Sequence, residues 1–248
     1  MTATPSWPPE SCPRLFVEDP LSEGEERRID GGSAHYLLSV MRLKTGAPVK
    51  LFDDQTGEWL AEVALVGKRD LIVRVTGLLR PREAVPDLWL IVAPIKKARI
   101  DWVAEKACEL GVARLVPVVT QRTIIDKLKT DRLRAHMIEA AEQCGRTTLP
   151  RLGDTVKLAA LLKTWPEART LFFADETGGI AMPDAVAEHA GPAAILIGPE
   201  GGFTAEERAL ICAVPQAIGI SLGPRILRAE TAALAAVSLW MAAAGDWH

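Results

Sequence analysis

Five short apolar runs that do not alternate constrain this chain most. They are Leu88 to Ala93, Leu115 to Val119, Leu171 to Ala174, Ala193 to Ile197 and Ala217 to Ser221. A strand with one wet face shows a period of two. An unbroken run of four to six apolar residues suits a strand covered on both faces. Helical patterns lie between the runs. Arg99 to Leu110 carries Ile100, Val103, Ala107 and Leu110 on one face and stops at Gly111. Asp131 to Cys144 stops at Gly145. Apolar stripes of this kind, each ended by a glycine, are helix signals. Strand–helix alternation predicts an α/β fold, a mostly parallel sheet with helices over it. Pro117 interrupts the second run.

The stretch before these runs follows a different rule. Within residues 14–80, Arg14 to Val17, Val49 to Phe52, Trp59 to Val63 and Leu71 to Val75 read as short strands. Asp53 to Gly57 reads as a hairpin turn, and a second turn lies around Gly67. Ser33 to Leu43 has helical spacing, with Ser33 as its N-cap and Leu37, Val40, Met41 and Leu43 as its apolar face. This predicts a small β-barrel over residues 1–80, of which 1–12 form a loose, proline-containing leader. Pro81 to Pro86 reads as a linker. The α/β domain takes residues 81–248.

Ligands of open α/β sheets bind beyond the carboxyl ends of the strands. Three strand ends here run into loops that can receive one. These are Ala174 to Gly179, the turn Gly198-Pro199-Glu200-Gly201-Gly202-Phe203, and the segment Leu222 to Thr231. No phosphate-binding glycine motif is present, which argues against a dinucleotide oxidoreductase. Glu200 inside the second loop would repel a pyrophosphate. A neutral or cationic nucleoside matches better, and S-adenosylmethionine, with its sulfonium, fits that electrostatics. Thr204 and Glu207 have the spacing of a capping box for the next helix.

Arg225 and Arg228 flank Ile226 and Leu227 in the third loop. They serve either an anionic ligand or a salt bridge to Glu200 or Glu230. Lys96, Lys97 and Arg99, and then Gln121, Arg122 and Lys127, are two basic groups, each readable as a solvated face or as part of a grip on RNA. Arg146 either complements the end of its helix or contacts RNA. Residues 81–150 hold 12 basic and 9 acidic side chains, and 151–248 hold 7 and 11. With a net charge of −3, a polyanion must be held at a local patch or by its shape. The four cysteines form no C-x-x-C pair, so no metal site is expected. Cys108 and Cys144 read as buried thiols. No apolar run approaches the roughly 20 residues of a membrane helix, and a cytoplasmic protein is expected.

The segments Leu196 to Phe203 and Leu222 to Ala232 resemble, in this order, the two signature blocks of the 16S ribosomal RNA uridine-N3 methyltransferases of the SPOUT superfamily. Glu105 to Val112, Glu139 to Arg146, Pro13 to Phe16 and His35 to Arg42 are similar to further blocks of that family. Met41, Thr123 and Ala229 stand where the family more often has Leu, Ser and Thr. The resemblance implies a PUA-like RNA-binding barrel followed by a trefoil-knotted SPOUT domain. It implies S-adenosylmethionine at Ala174, Leu196, Gly198, Gly201, Leu222, Gly223 and Leu227, and a homodimer. The substrate it implies is a specific uridine of 16S ribosomal RNA in the small ribosomal subunit. On this reading Arg228 stabilises the reacting uracil, and Glu200 or Glu230 either accepts a proton or is structural. Arg14, Lys96, Lys97, Arg99, Arg122 and Arg146 are the RNA-binding candidates. A ribose 2′-O-methyltransferase of the same superfamily and a non-catalytic assembly factor are the alternatives.

Overall fold

The computed structural model describes residues 12–124, 128–189 and 191–247. The leader up to residue 11 and Lys127 of the second basic group lie outside the described residues. The chain divides into two compact units. One holds the residues up to Ala84 together with Ala141–Thr148, and the other holds Val85–Ala140 and Leu149–His248.

The first unit contains β1 (Arg14–Phe16), β2 (Glu26–Ile29), α1 (Gly31–His35), β3 (Pro48–Asp53), β4 (Gly57–Val66) and β5 (Leu71–Pro81). The strands form one sheet in the order β1-β3-β4-β5-β2. Every strand sends residues into a single core that includes Leu15, Ile29, Val49, Leu51, Val63, Leu71 and Val73. The sheet therefore curls around its own interior. Three register shifts between β4 and β5 supply the bending, because a bulge increases local twist. Charged β2, whose sequence is ERRI, escaped the sequence reading because it lacks an apolar pattern. The hairpin turn is held by the buried Asp53 carboxylate, which accepts from the Gln55 amide at 2.7 Å and the Leu21 amide at 3.0 Å.

The helix of this unit differs from expectation. It starts after Asp30, not Ser33, and passes into a π-helical turn over Tyr36–Val40. The wider winding breaks the expected stripe. Leu37 stays in the core, whereas Val40 is 61% exposed and Met41 is at the surface.

The second unit contains β6 (Leu88–Val92), α2 (Lys97–Glu109), β7 (Arg114–Val119), α3 (Thr130–Cys144), β8 (Arg151–Leu152), β9 (Val156–Lys157) and α4 (Leu158–Lys163). It continues with β10 (Thr170–Ala174), β11 (Ile180–Ala181), α5 (Met182–Glu188), β12 (Ala193–Ile197), α6 (Ala205–Cys212), β13 (Ala217–Ser221) and α7 (Ala229–Ala244). The final residues of α3, from Ala141, are counted with the first unit. Cys108 is buried as expected, but Cys144, the last residue of α3, is exposed.

The main sheet runs β11-β13-β10-β12-β6-β7-β8, with β9 also on β7. All its pairings are parallel. All five residues of β12 are buried, as an unbroken apolar run requires of a strand covered on both faces. Pro117 does not break β7. The Leu115 carbonyl accepts from Gly153 at 2.8 Å, so the odd-numbered residues of β7 turn their amide edge toward β8 and β9. Pro117 falls between the last residue paired with β8 and the first paired with β9, where no amide donor is needed. After β13 the chain doubles back, and α7 packs on α2, α5, β12 and β6.

Candidate functional site

The carboxyl ends of β10, β12 and β13 open into one pocket of about 410 Å³. Its wall comes from the three loops anticipated above: 174–178, 197–200 with 202–203, and 220–227, with Ala229 and Ala232 of α7 behind them. The volume falls within the range of about 300–1,000 Å³ usual for small-molecule and cofactor sites. The strand order explains the location. β10 lies between two strands that follow it in the chain, β12 on one side and β13 on the other, so the strand order reverses at the pocket itself. Such reversals leave a crevice at the strand ends.

Two glycines shape the wall. A side chain at Gly198 would lie 3.2 Å from the Phe203 ring, so glycine lets that ring close over the turn. Gly202 has φ +69°, and a Cβ there would lie 2.6 Å from Glu176 Oε1. Its amide donates to the Pro199 carbonyl at 2.9 Å, which closes the turn. The capping box is present. Thr204 Oγ1 accepts from the Glu207 amide at 3.2 Å, and Glu207 Oε2 accepts from the Thr204 amide at 3.1 Å. Glu207 Oε1 also accepts from the Gln121 amide at 2.7 Å, so this buried carboxylate ties the loop after β7 to the start of α6.

The charges on the wall are arranged in pairs. Arg208 donates to Asp175 at 2.9 and 2.7 Å. Burial pushes the Asp175 carboxyl up, but hydrogen bonds from Arg208 and Thr177 outweigh it and hold the group below its ordinary value. Glu200 pairs with Arg99 at 3.1 Å, and Glu230 pairs with the same guanidinium at 3.3 Å. The salt bridge that the sequence offered to Arg225 or Arg228 is thus made by Arg99 from α2. Arg225 and Arg228 are exposed and form no ion pair among the described residues. Arg228 occupies the N-cap position of α7.

Of the expected cofactor contacts, Ala174, Gly198, Leu222, Gly223 and Leu227 lie on the wall. Leu196, buried in the sheet, is not on it; its neighbour Ile197 is. Gly201 is also off the wall. Its carbonyl accepts from Arg122, and Gly202 takes its place. Glu200 is on the wall; Glu230 and Arg228 are not. Asp175, Glu176 and Arg208 are wall residues that sequence reasoning left unassigned. The first two were legible as a strand-end loop. Arg208 carries no local signal, since it reaches the wall through Asp175.

The basic candidates separate just as clearly. Lys96 and Lys97 are exposed at the start of α2. Arg99 and Arg122 have partners within the second unit, as described. Arg14 and Arg146 are largely withdrawn from solvent: the Arg14 side chain is 10% exposed and Arg146 is buried. Arg14 donates to Glu58, to the Ala141 carbonyl, and to the Arg146 carbonyl at 2.6 Å. Its guanidinium also lies 3.7 Å from the centre of the Phe52 ring. Arg146 is buried, with Nε 3.0 Å from Thr148 Oγ1 and 3.6 Å from Glu83. Both arginines are engaged in holding the segment Ala141–Thr148 within the first unit.

The pocket chemistry suits a cationic nucleoside cofactor. Ile197, Phe203, Leu222 and Leu227 supply apolar wall, and Glu176 adds a carboxylate with no hydrogen-bond or ion-pair partner among the described residues. Glycine-rich turns expose backbone groups that can read a base edge. Two domain families match the two units and give the class of the protein, an RNA methyltransferase. Residues 81–241 match the RNA methyltransferase domain family, and residues 29–76 match the RNA methyltransferase PUA domain family. The chain is 30% identical to ribosomal RNA small subunit methyltransferase E of Rickettsia conorii, over 91% of this chain and 93% of that one. The same enzyme from Neisseria gonorrhoeae, solved with S-adenosyl methionine, superposes with a TM-score of 0.87 at 26% identity, covering 96% of this chain and 100% of that one. A methyltransferase of Legionella pneumophila, solved with the same cofactor, superposes at 0.86 with 30% identity, covering 95% and 99%. The chain belongs to the ribosomal RNA small subunit methyltransferase E family. Its fold is the PUA-like and SPOUT pairing, and the family depends on S-adenosylmethionine.

Proposed function

We propose that the chain methylates N3 of one specific uridine in 16S ribosomal RNA, acting on the small ribosomal subunit. The observation that carries this reading is the pocket at the ends of β10, β12 and β13, with Arg228, which has no ion-pair partner among the described residues, beside its rim. When bound, the cofactor supplies an electrophilic methyl group on a sulfonium. The chain's own part is to orient the uracil and handle its charge. N3 is an imide nitrogen and must lose its proton to become nucleophilic. Arg228, a permanent cation without a competing carboxylate, stabilises the anionic ring. Glu200 faces the pocket and accepts the proton. Glu230, turned toward Arg99 and off the wall, is structural.

Lys96, Lys97 and Arg122 contribute RNA contacts at the second unit, while the first unit, residues up to about 80, grips RNA. A homodimer forms through neighbouring helices α2 and α7, whose Trp102 and Leu239 are exposed apolar residues. The site of action is cytoplasmic.

The test is transfer of labelled methyl to purified small subunits and to naked 16S RNA, with the product digested to nucleosides for mass spectrometry. N3-methyluridine is expected, and a methyl on ribose would refute the reading. Arg228→Ala should abolish transfer while calorimetry shows unchanged cofactor binding. Near-normal transfer by that variant would remove Arg228 from the mechanism.

A further inference from the structure

The first unit was expected to grip RNA through Arg14, and that side chain is 10% exposed and hydrogen-bonded within the unit. A different part of its surface has the required chemistry. We infer that the end of the curled sheet covered by the π-helical turn is a single-stranded RNA site, with Tyr36 as a base-stacking platform and Arg42, Lys44, Lys68 and Arg69 as phosphate contacts. This inference rests on the reading of the chain as an RNA-modifying enzyme.

The topology gathers these residues. Ile29 at the end of β2 pairs with Leu71 at the start of β5, and Leu71 pairs with Val66 at the end of β4. The Gly46 amide donates to the Val63 carbonyl at 2.8 Å, and Val63 donates to the Ala47 carbonyl at 2.9 Å. The segment from Lys44 therefore runs beside the end of β4. The helix and π turn start directly after β2 and send Ala34 and Leu37 into the core. Their outer side is left with Tyr36, Val40 and Met41, and the end of β4 adds Leu65 and Val66. All five are exposed large apolar residues. Burial within the unit explains none of them.

The charge at this end favours a polyanion. Residues 31–52 contain Arg42, Lys44 and Lys50 and no Asp or Glu. Lys68 and Arg69 sit in the turn between β4 and β5. None of Arg42, Lys44, Lys68 and Arg69 forms an ion pair among the described residues. Asp70 in the same turn is held by Arg28 at 2.7 Å. Elsewhere in this unit exposed arginines have carboxylate partners, as Arg74 has Glu26. Apolar and aromatic surface interleaved with unpaired cations is how single strands are held, bases stacking and phosphates paired. Arg42 also has φ +55°, the left-handed region. A non-glycine residue held there, just after a π turn, is a common companion of functional sites.

The test measures binding and transfer separately on the full chain. The binding probe is a fluorescent single-stranded RNA oligomer, titrated at several salt concentrations. Arg42→Gly removes the charge and relieves the left-handed backbone, and urea unfolding beside wild type shows that the variant is folded. It should weaken binding and reduce the salt slope by about 1. Tyr36→Ala should weaken binding by about tenfold, and Tyr36→Phe, which keeps the ring, should not. Cofactor affinity should stay unchanged in all three, and Arg74→Ala should behave as wild type. Unchanged oligomer binding in both Arg42→Gly and Tyr36→Ala would overturn the inference. So would unchanged binding to naked RNA with weakened binding to assembled subunits, which would assign the surface to a protein of the subunit. If wild type binds the oligomer through these residues but transfers no methyl group, the enzymatic reading fails and this site stands.

Discussion

Arg14→Ala distinguishes a buried keystone from an RNA contact. The substitution removes hydrogen bonds to Glu58 and to the carbonyls of Ala141 and Arg146. It also removes the guanidinium from the Phe52 ring. Breaking one partner of a buried pair costs about 3–5 kcal/mol. Here Glu58 keeps Arg80, whose Nε and Nη2 lie 3.2 Å from its two oxygens. That remaining pair places the cost near the lower end, at about 3 kcal/mol. Loss of a mere RNA contact from a solvated face would change stability by at most about 0.5 kcal/mol. Urea unfolding of the full chain separates the two values, and amide hydrogen exchange over residues 141–148 locates the loss. Arg14→Lys should fail to restore stability, since an ammonium cannot reach three acceptors in a plane. A loss below about 1 kcal/mol, scaled against the same range, together with weakened RNA binding, would show that Arg14 touches RNA after all.

Arg99→Ala should cost about 1–2 kcal/mol, because Glu230, 12% exposed with Oε2 buried and unpartnered, loses its cation. The start of α7 offsets part of that loss. A double-mutant cycle with Glu230→Gln should show the coupling, and strictly additive effects would refute it. Gly202→Ala should weaken S-adenosylmethionine binding in calorimetry and cost about 1–2 kcal/mol of stability, since alanine resists the left-handed backbone; unchanged affinity would mean that this turn does not shape the pocket. Burial pushes the Glu58 carboxyl up, but hydrogen bonds from Arg80 and Arg14 prevail and hold it below 4.5. Its contribution is therefore full above pH 4.5 and lost as the pH falls through the depressed value. Glu58→Gln should flatten the acid limb of the stability curve, and an unaltered limb would assign acid sensitivity to other groups.

Much of the pocket was legible because its cause is local. An unbroken apolar run followed by a glycine turn specifies a covered strand and its open end, and three such ends line the cavity. The capping box at Thr204 and Glu207 is equally local, being set by a spacing of three residues. Leu196 and Gly201 lie one residue away from the wall residues Ile197 and Gly202, because a run of letters does not say which side of a strand end faces the cavity.

The sequence by itself determined the two kinds of architecture, the strand ends that form the pocket, and the family to which the chain belongs. Only the tertiary structure decided the fate of the charges. Arg14 and Arg146 look like any surface arginine in the sequence, yet both are enclosed, Arg14 largely and Arg146 fully, among carbonyls and carboxylates of the same unit. Arg99, about a hundred residues before Glu200 in the chain, takes the carboxylates that Arg225 and Arg228 stood beside, and leaves those two without ion-pair partners among the described residues. The physical reason is range. Backbone conformation follows from neighbours a few residues away, whereas an ion pair depends on which distant segments the fold brings within about 4 Å.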